Sequence, residues 1–444
     1  MRLHAGAAVS EISPAHPMPL SGYPHVRRIS TGIHDPVLSS ALYLENGSQA
    51  LVLIALDLLA LDPLDARSMR AAVAQRLSLP EQCVFINCTH THSAPATDRV
   101  LVWQADPSIS PPDPAYLQWV RERVVESAVR AAAGTRPAQL AWCAAQIQGV
   151  GGNRLDPAGL TDPEAGILAI RGDDGKLLAL AVIYGMHPTV LHEDSTLISS
   201  DFPHYVRQEL RERFGSSLTV VYQNGASGNQ SPRHCTRGNT FAEAEQLGRA
   251  MGRRIAFVVE KLTAKDCTAE APLDGVARAV KLPRRAIPQV REAEQQLERC
   301  RAHYETLKSQ GQPSAVVRTA ECVVFGAEGT LAISRLEESG EIQKYLDRRP
   351  SIEVQVMRIG DICVAGLQGE LFAEYGVQIK RGASGRMFVV TLVNGDLQGY
   401  IVTPEAAAQG GYEAMTALFS PESGDIMVKA VLEIERALVE RNHS

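Results

Sequence analysis

Residues 50–56 read ALVLIAL, an unbroken apolar run that predicts a β-strand buried on both faces. Shortly after it, Asp62-Pro63 supplies an N-capping side chain and a proline suited to the first helical position, so we predict a helix to about Leu77. The same pair recurs at Asp113-Pro114, ahead of a helix predicted to about Ala133. A buried strand followed by a capped helix is typical of an α/β fold.

Further strand-like runs alternate with helical stretches along the chain, which supports the α/β class. In such folds ligands bind at the C-terminal ends of the strands, so we expect the active site there. The further strands are predicted at residues 83–88, 167–170, 178–184, 218–222, 353–357, 362–366 and 387–393.

One helical segment stands apart from this alternation. Between residues 290 and 307, apolar side chains recur at spacings of three and four on an otherwise charged helix. We predict a helical excursion at about residues 286–316 that packs on the main body; the alternative is a dimer contact, which leaves a homo-oligomer open. A second amphipathic helix is predicted from Asp425 to about Val439. The chain is expected to form a single large domain, 1–444.

The composition excludes several classes of partner. The 444 residues carry 44 basic and 50 acidic side chains, a net charge of −6, so we expect no binding to nucleic acid. No apolar run reaches the ~18 residues of a membrane span, and no export signal is visible at the N-terminus. The eight scattered cysteines include no CxxC pair, as is typical of reduced thiols. We therefore expect a cytoplasmic protein that acts on a small molecule.

The strongest local signal is THTHSAP, residues 89–95, directly after a predicted strand. Residues i and i+2 of an extended segment point to one side, so His90 and His92 can face one cavity and bind a metal there. A metallo-β-lactamase motif would continue with Asp-His where Ala94 and Pro95 stand, and an amidohydrolase barrel carries its HxH near the first strand. The alternative is a pair of polar loop histidines without a metal.

Four more chemically useful side chains lie a few residues beyond predicted strands: His187, Ser231, Glu370 and Tyr400. Together with the histidine pair they form a coherent set at the strand ends. Taken singly, three of them have ordinary structural explanations. Glu370 is also explained as a helix cap or surface carboxylate, Tyr400 as a packed aromatic and Ser231 as a turn residue.

These residues, in their order along the chain, resemble the catalytic domain of the neutral/alkaline (non-lysosomal) ceramidase family. The segment at residues 90–95 resembles that family's HTHSGPG, and residues 228–232 resemble its GDVSP loop. The match runs nearly end to end, and the resemblance implies mixed β-sheets flanked by helices. Its further positions are residues 8–14, Gly22-Tyr23, residues 32–35, Asp57, Asn153-Arg154, Asp162-Pro163, residues 187–189, Ser200-Asp201, Gly369-Glu370, residues 400–405 and Tyr412-Glu413.

The resemblance also implies a metal centre. One Zn²⁺ would be bound by His90, His187, Glu370 and Tyr400, a set that spacing alone does not give, since tyrosine is an uncommon zinc ligand. His92 would stand beside the metal and carry a proton, as an imidazole that titrates near neutrality can.

Other residues would act on the substrate. By the resemblance, Ser231 is the nucleophile or positions water, and Arg154 binds substrate. Tyr400, Tyr412 and Arg154 are candidates for stabilising a developing oxyanion or an anionic end of the substrate. Asn229 and His34 are further substrate-binding candidates. A salt bridge to a nearby aspartate is the alternative for Arg154.

The sequence also departs from the family. Asn229 replaces the Asp of the serine loop, Gln368 replaces the Pro before Gly-Glu, and no counterpart of the family's C-terminal β-rich domain is visible. We therefore expect a zinc-dependent amidohydrolase that cleaves an N-acyl bond of a soluble substrate or a ceramide-like lipid. The alternatives are a metal-independent serine hydrolase using Ser231 (which lacks a GxSxG elbow), an esterase or lactonase on the same scaffold, and a non-catalytic zinc-binding descendant.

Overall fold

The computed structural model describes residues 2–349 and 351–441, and two β-sheets packed face to face form its centre. Apolar side chains from the strands of both sheets share one buried cluster. The strands are β1 (His4–Glu11), β2 (Gly32–Ile33), β3 (Leu38–Glu45), β4 (Ala50–Leu56), β5 (Val84–Cys88), β6 (Arg136–Gln146), β7 (Gly152–Asn153), β8 (Glu164–Gly172), β9 (Leu177–Tyr184), β10 (Leu197–Ile198), β11 (Thr219–Asn224), β12 (Gln230–Ser231), β13 (Leu273–Val280), β14 (Ile352–Ile359), β15 (Ile362–Leu367), β16 (Glu370–Leu371), β17 (Arg386–Val390) and β18 (Tyr400–Ile401).

Both sheets mix parallel and antiparallel ladders. The larger has eight strands in the order β11-β9-β8-β6-β1-β3-β4-β5, and the smaller has four in the order β13-β14-β15-β17. The pairs β4–β5, β9–β11 and β15–β17 are parallel, while the other ladders of these sheets are antiparallel. Three two-stranded ladders, β2–β10, β7–β12 and β16–β18, lie outside the sheets among the described residues.

Helices cover the outer faces of both sheets. Helices α1 and α2 pack on one part of the larger sheet and α3 and α4 on another, while α8 and α11 cover the smaller sheet. The helices are α1 (Pro63–Leu77), α2 (Pro114–Ala133), α3 (Phe202–Phe214), α4 (Phe241–Val259), α5 (Val290–Ser309), α6 (Ser314–Glu338), α7 (Glu341–Asp347), α8 (Ala373–Gly382), α9 (Pro404–Gln409), α10 (Tyr412–Thr416) and α11 (Glu422–Glu440). No helix within the described ranges is long and apolar enough to cross a bilayer.

The α/β prediction, with mixed sheets flanked by helices, is confirmed. The run ALVLIAL forms β4 and is buried along its whole length. Asp62 and Asp113 cap their helices as predicted: Oδ1 of each accepts a backbone N–H from the first turn, at 2.9 Å from Leu64 and 2.7 Å from Ala115. Each helix then starts on the proline and ends where predicted.

The helical excursion extends further than predicted. Helix α5 pairs with the long helix α6, and α7 follows, so the helical segment spans residues 290–347 and not about 286–316. Helix α6 begins after Pro313 without a side-chain cap, which removed the local signal for its start.

Candidate active site

Parallel strand pairs bring together the segments that follow β4, β5, β15 and β17. Beyond β4 and β5, the backbone N–H groups of Thr89 and His90 donate to the carbonyl oxygens of Leu56 and Leu58 at 2.8 and 2.9 Å. Beyond β15 and β17, the N–H of Leu392 donates to the carbonyl oxygen of Gly369 at 3.3 Å. The strand ends predicted to carry the site therefore do meet, because parallel strands end on the same side.

Three histidine side chains converge at this edge. His90, His92 and His187 each place a ring nitrogen within 4.8 Å of the others, and His90 and His187 are almost completely buried. His90 has a φ of 71°, a left-handed conformation that is uncommon outside glycine and costs on the order of 1–3 kcal/mol. Such strain is characteristic of functional sites, where the surrounding fold holds a side chain in place.

Backbone carbonyl groups orient all three rings. Nδ1 of His90 donates to the carbonyl oxygen of Leu59 at 2.8 Å, and Nδ1 of His92 donates to that of Gly22 at 2.9 Å. Nδ1 of His187 lies 2.7 Å from the carbonyl oxygen of Ser227. Because Nδ1 carries the proton in each ring, Nε2 carries the lone pair, which is the arrangement usual for metal-binding histidines.

Glu370 completes the cluster. Its Oε2 lies 3.0 Å from Nε2 of His187 and 3.2 Å from Nε2 of His90. Nε2 of His90 and Nε2 of His92 are buried and form no hydrogen bond within the described part of the chain. A buried nitrogen without a partner is costly, and a cation between His90 and the carboxylate would satisfy the first lone pair, while a water molecule or substrate beside it could satisfy that of His92.

The ionisation of these groups suits a metal. Burial, then the neighbouring His90 and His187, lower the pKa of His92 well below its usual range. Burial, followed by the charge of Arg154, lowers the pKa of His187 to about 4. Burial would raise the pKa of Glu370, but His90 and His187 outweigh it and hold this pKa well below its usual range. Neutral imidazoles and an ionised carboxylate are the ligands that Zn²⁺ takes.

The pKa of His90 shifts the other way. Burial lowers it, but attraction to Glu370 outweighs burial and raises the pKa above its usual value. The raised pKa of His90 means that Glu370 attracts a positive charge to Nε2 of this ring. A metal cation between the two side chains would supply that charge in place of the proton.

Tyr400 stands beside Glu370 because the two residues pair directly in the parallel ladder β16–β18. Burial, and then the charge of Glu370, raise the pKa of the Tyr400 phenol well above its usual range. Arg154 lies over the Tyr400 ring, with its guanidinium carbon 5.4 Å from the ring centroid. Tyr412 contacts Tyr400 edge to face at 6.0 Å between centroids. The predicted residues Tyr400, Arg154 and Tyr412 therefore form one group next to the histidines.

Arg154 forms its salt bridge with a glutamate and not with a nearby aspartate. Its Nε donates to Oε1 of Glu413 at 2.7 Å, whereas no hydrogen bond joins it to Asp156 or Asp162 among the described residues. Nη2 of Arg154 is buried and forms no hydrogen bond with any residue that the structure describes. The Nε–H of this guanidinium is thus hydrogen-bonded to the protein, whereas the Nη2 group has donors that a ligand could use.

Two cavities meet at this group. The outer cavity, of about 720 Å³, is lined by His92, Arg154, Ser231, Tyr400 and Tyr412 and by residues of α6. The inner cavity, of about 110 Å³, is lined by His90, His92, Glu370, Tyr400 and Tyr412 and by apolar side chains that include Trp103. The histidine cluster therefore lies where a ligand can extend into both cavities.

No protein-family model matches the sequence, and no curated protein matches it. Two solved structures are similar to this one in fold. The neutral ceramidase from Pseudomonas aeruginosa superposes with a TM-score of 0.76 at 18% sequence identity, over 99% of this chain and 75% of that chain. A ceramidase complexed with C2 gives a TM-score of 0.76 at 17% identity, over 99% of this chain and 76% of that chain.

This chain has the neutral ceramidase fold. The resemblance predicted from the ordered motifs is confirmed at the level of the fold. Within the neutral ceramidase fold, the metal candidates His90, His187 and Glu370 lie together, and Tyr400 is paired with Glu370. The proton-transfer candidate His92 adjoins them.

Ser231 lines the outer cavity but is engaged locally. Its Oγ accepts the backbone N–H of Arg233 at 3.2 Å and so caps the short 3-10 turn Pro232–His234. No imidazole nitrogen of the described residues forms a hydrogen bond with this hydroxyl. The position agrees with a residue that contacts substrate, and the turn-residue explanation also holds for it.

Two predicted substrate-binding residues, Asn229 and His34, are not among the residues that line these two cavities, and their roles stay predictions. The side-chain amide of Asn229 donates to Glu374 at 2.8 Å, and its Oδ1 accepts the N–H of Ala373 at 3.0 Å, so it fastens the serine loop to α8. His34 stacks on Phe241 with ring centroids 3.7 Å apart and approaches Asp35 with Nδ1 at 3.1 Å. Asn229 is thus buried among structural contacts, whereas the His34 side chain stays partly exposed.

The sequence did not assign a role to the segment that orients His92. Nη2 of Arg28 donates to the carbonyl oxygens of His92 at 2.8 Å and Ser21 at 2.5 Å. The Arg28 guanidinium also lies 4.7 Å from the centroid of the Tyr23 ring. Gly22-Tyr23 was part of the motif series, but nothing in the spacing indicates that this segment folds back over residues 90–92. A buried arginine that binds only carbonyl groups leaves no local signal in a sequence.

Proposed function

We propose that this protein is a zinc-dependent hydrolase that cleaves an N-acyl amide bond. The observation that carries the proposal is the convergence of three carbonyl-oriented imidazoles and the Glu370 carboxylate where two cavities meet. Zn²⁺ is the ion that suits this nitrogen and oxygen donor set best, with His90, His187, Glu370 and Tyr400 as its ligands. When bound there, it would acidify a water molecule and polarise the scissile carbonyl group.

His92 is placed to move the proton in this reaction. Its Nδ1 is committed to the Gly22 carbonyl, so Nε2 is the atom that accepts a proton from water and returns it to the leaving nitrogen. The water oxygen bonds to the carbonyl carbon, the C–N bond breaks, and the proton goes to nitrogen. The products are a carboxylic acid and an amine, so atoms and electrons balance without a further reactant.

Arg154 and Tyr412 would stabilise charge that develops on the carbonyl oxygen. The Tyr412 phenol has a pKa raised above its usual range, first by burial and then by Glu370, so it remains a hydrogen-bond donor at neutral pH. Preorganised donors of this kind contribute on the order of 10²–10³ in kcat each.

The test combines metal analysis with a hydrolysis assay. Purified chain should hold about one zinc, and N-acetyl amides should be cleaved by it, while chelation should abolish and Zn²⁺ restore the activity. Glu370→Gln removes a charged ligand candidate with little change of shape and should lower both zinc content and activity. Glu338→Gln, at an exposed position outside both cavities, is the matched control and should keep both. Full activity without metal would overturn the proposal.

A further inference from the structure

We infer that the substrate is an N-acyl α-amino acid, an amide with a short apolar acyl group and a carboxylate on its amine half. This inference rests on the proposed amide hydrolysis and names the two halves of the molecule that is cleaved. It follows from the different chemistry of the two cavities that meet at the histidine cluster.

The inner cavity suits a short apolar group. Its volume is about 110 Å³, and apolar side chains form most of its wall. Apart from histidines and tyrosines, the ionisable side chains among its described lining residues are Asp98, Glu370 and Asp396, and burial raises the pKa of Asp98 to about 6 and that of Asp396 to about 7. No guanidinium or ammonium group of this lining can pair with an anionic group, so the uncharged acyl half of an amide is the half that suits this cavity. The apolar lining residues are Leu20, Leu59, Val100, Val102, Trp103 and Ile109.

The wall of the outer cavity around Ser231 is cationic. The ladder β7–β12 pairs Gly152 with Ser231, and the N–H of Arg154 donates to the carbonyl oxygen of Asn229 at 2.8 Å, so Arg154 lies beside the serine loop. Arg233 follows Ser231 on the same wall and forms no ion pair with any described acidic residue. Nη2 of Arg154 is buried without an acceptor. Two guanidinium groups on one wall thus have donors free for a ligand.

Another part of the cavity wall, around Arg318, is different. There Arg318 is already paired with two acidic residues, at 3.1 Å from Glu193 and 2.7 Å from Glu321. This wall carries an excess of negative charge, whereas the wall with Arg154 and Arg233 carries an excess of positive charge once Glu413 is counted. An anionic ligand group is therefore directed to the Ser231 side of the cavity.

A carboxylate fits this side for two reasons. Guanidinium groups bind carboxylates through paired, charge-assisted hydrogen bonds, which are stronger than bonds between neutral groups. In an N-acyl α-amino acid the carboxylate is attached to the carbon next to the scissile nitrogen. When the acyl half occupies the inner cavity, this carboxylate enters the outer cavity next to the reacting bond, on the side of Arg154.

The experiment compares N-acetylalanine with its uncharged counterpart N-acetylalaninamide, using zinc-loaded full-length protein. We expect kcat/KM for the acid to exceed that for the amide by at least about 10-fold, the size of one charge-assisted hydrogen bond. Arg233→Gln should reduce this ratio several-fold, mainly through a higher KM for the acid. Arg237→Gln, an exposed arginine outside the cavity, is the matched control and should leave the ratio unchanged.

The outcomes separate this inference from the proposed function. If neutral amides or a long-chain ceramide are cleaved as well as or better than N-acetylalanine, the protein is an amidohydrolase and the carboxylate inference is wrong. A ratio that does not change in the Arg233 variant would also overturn it. If no amide is cleaved by the zinc-loaded protein, the proposed function itself fails.

Discussion

Gly22 accepts the hydrogen bond that orients His92, and it also leaves no room for a side chain beside that ring. The carbonyl oxygen of Gly22 lies 2.9 Å from Nδ1 of His92. A Cβ atom at position 22 would fall 2.6 Å from Cγ and Nδ1 of the same imidazole, and φ is +108° there. The contact and the backbone conformation both require glycine.

Gly22→Ala should therefore displace His92 and reduce activity by about 10- to 100-fold, the range observed when partners that orient metal-site residues are lost. The measurement is kcat/KM for an N-acetyl amide. Gly175→Ala is the control, because Gly175 has a φ of +75° but nothing within 4 Å of the added Cβ. An equal loss of kcat/KM in the two variants would show that backbone strain, and not displacement of His92, causes the effect.

His90→Ala and His187→Ala should each lose zinc, because a site with few protein ligands rarely keeps its metal without one of them. His92→Ala should keep most of the zinc and lose turnover, since Glu370 contacts the other two imidazoles, at 3.2 and 3.0 Å, and not that of His92. The test is to measure zinc content by elemental analysis and kcat for each of the three variants. If the His92 variant loses zinc in proportion to its loss of activity, His92 is a zinc ligand and the assignment is wrong.

Ser231→Ala should keep its zinc and lose about 10²–10³ in kcat, as expected for a group that positions substrate or water. The structural reason is that no described imidazole is hydrogen-bonded to Oγ, which instead caps a turn. Pre-steady-state kinetics provide the second readout. A burst of amine release with a covalent adduct on Ser231 would show a serine nucleophile instead.

Asp201 should make stability depend on pH. Burial raises the pKa of this carboxyl group to about 7, against the smaller effect of the N–H groups of Leu191 and Phe202 that it accepts. The folded state thus keeps a proton that the unfolded chain releases near 3.8. This contribution to stability is complete below pH 3.8 and disappears as the pH rises through about 7.

Asp201→Asn should remove that dependence, because asparagine does not ionise. Its single amide oxygen can accept only one of the two N–H groups that Oδ1 and Oδ2 of Asp201 accept, and this loss lowers stability equally at every pH. We expect Tm of the variant to rise relative to wild type by a few degrees between pH 5 and pH 8.5. Differential scanning calorimetry at both values tests it. A difference in Tm that stays constant across this range would mean that Asp201 does not titrate there.

Much of the fold was predictable because its signals are local. The run ALVLIAL and the capping aspartates 62 and 113 each determine their element within a few residues. The ordered series of motifs predicted the ceramidase-like fold because it compares many positions along the chain at once. Helix α6 lacks a capping side chain, and β6 mixes buried and half-buried residues without a regular alternation, so neither produced a clear pattern.

The site was predictable only in part, for a different reason. His90 and His92 are two residues apart and point into one cavity, as their spacing indicates. The pairing of Glu370 with Tyr400 joins two strands of two residues each, too short for any pattern. The contact of Arg28 with the His92 carbonyl spans 64 residues, and such long-range contacts are determined by the whole fold.

The carbonyl groups that orient the imidazoles also bear on how this protein tolerates sequence drift. A carbonyl oxygen belongs to every amino acid, so replacing the side chain of Leu59 or Ser227 leaves the acceptor for His90 or His187 in place. Sites oriented by carboxylates lack this protection, since one substitution removes the acceptor. We expect positions 59 and 227 to vary among descendants of this chain while position 22 stays glycine.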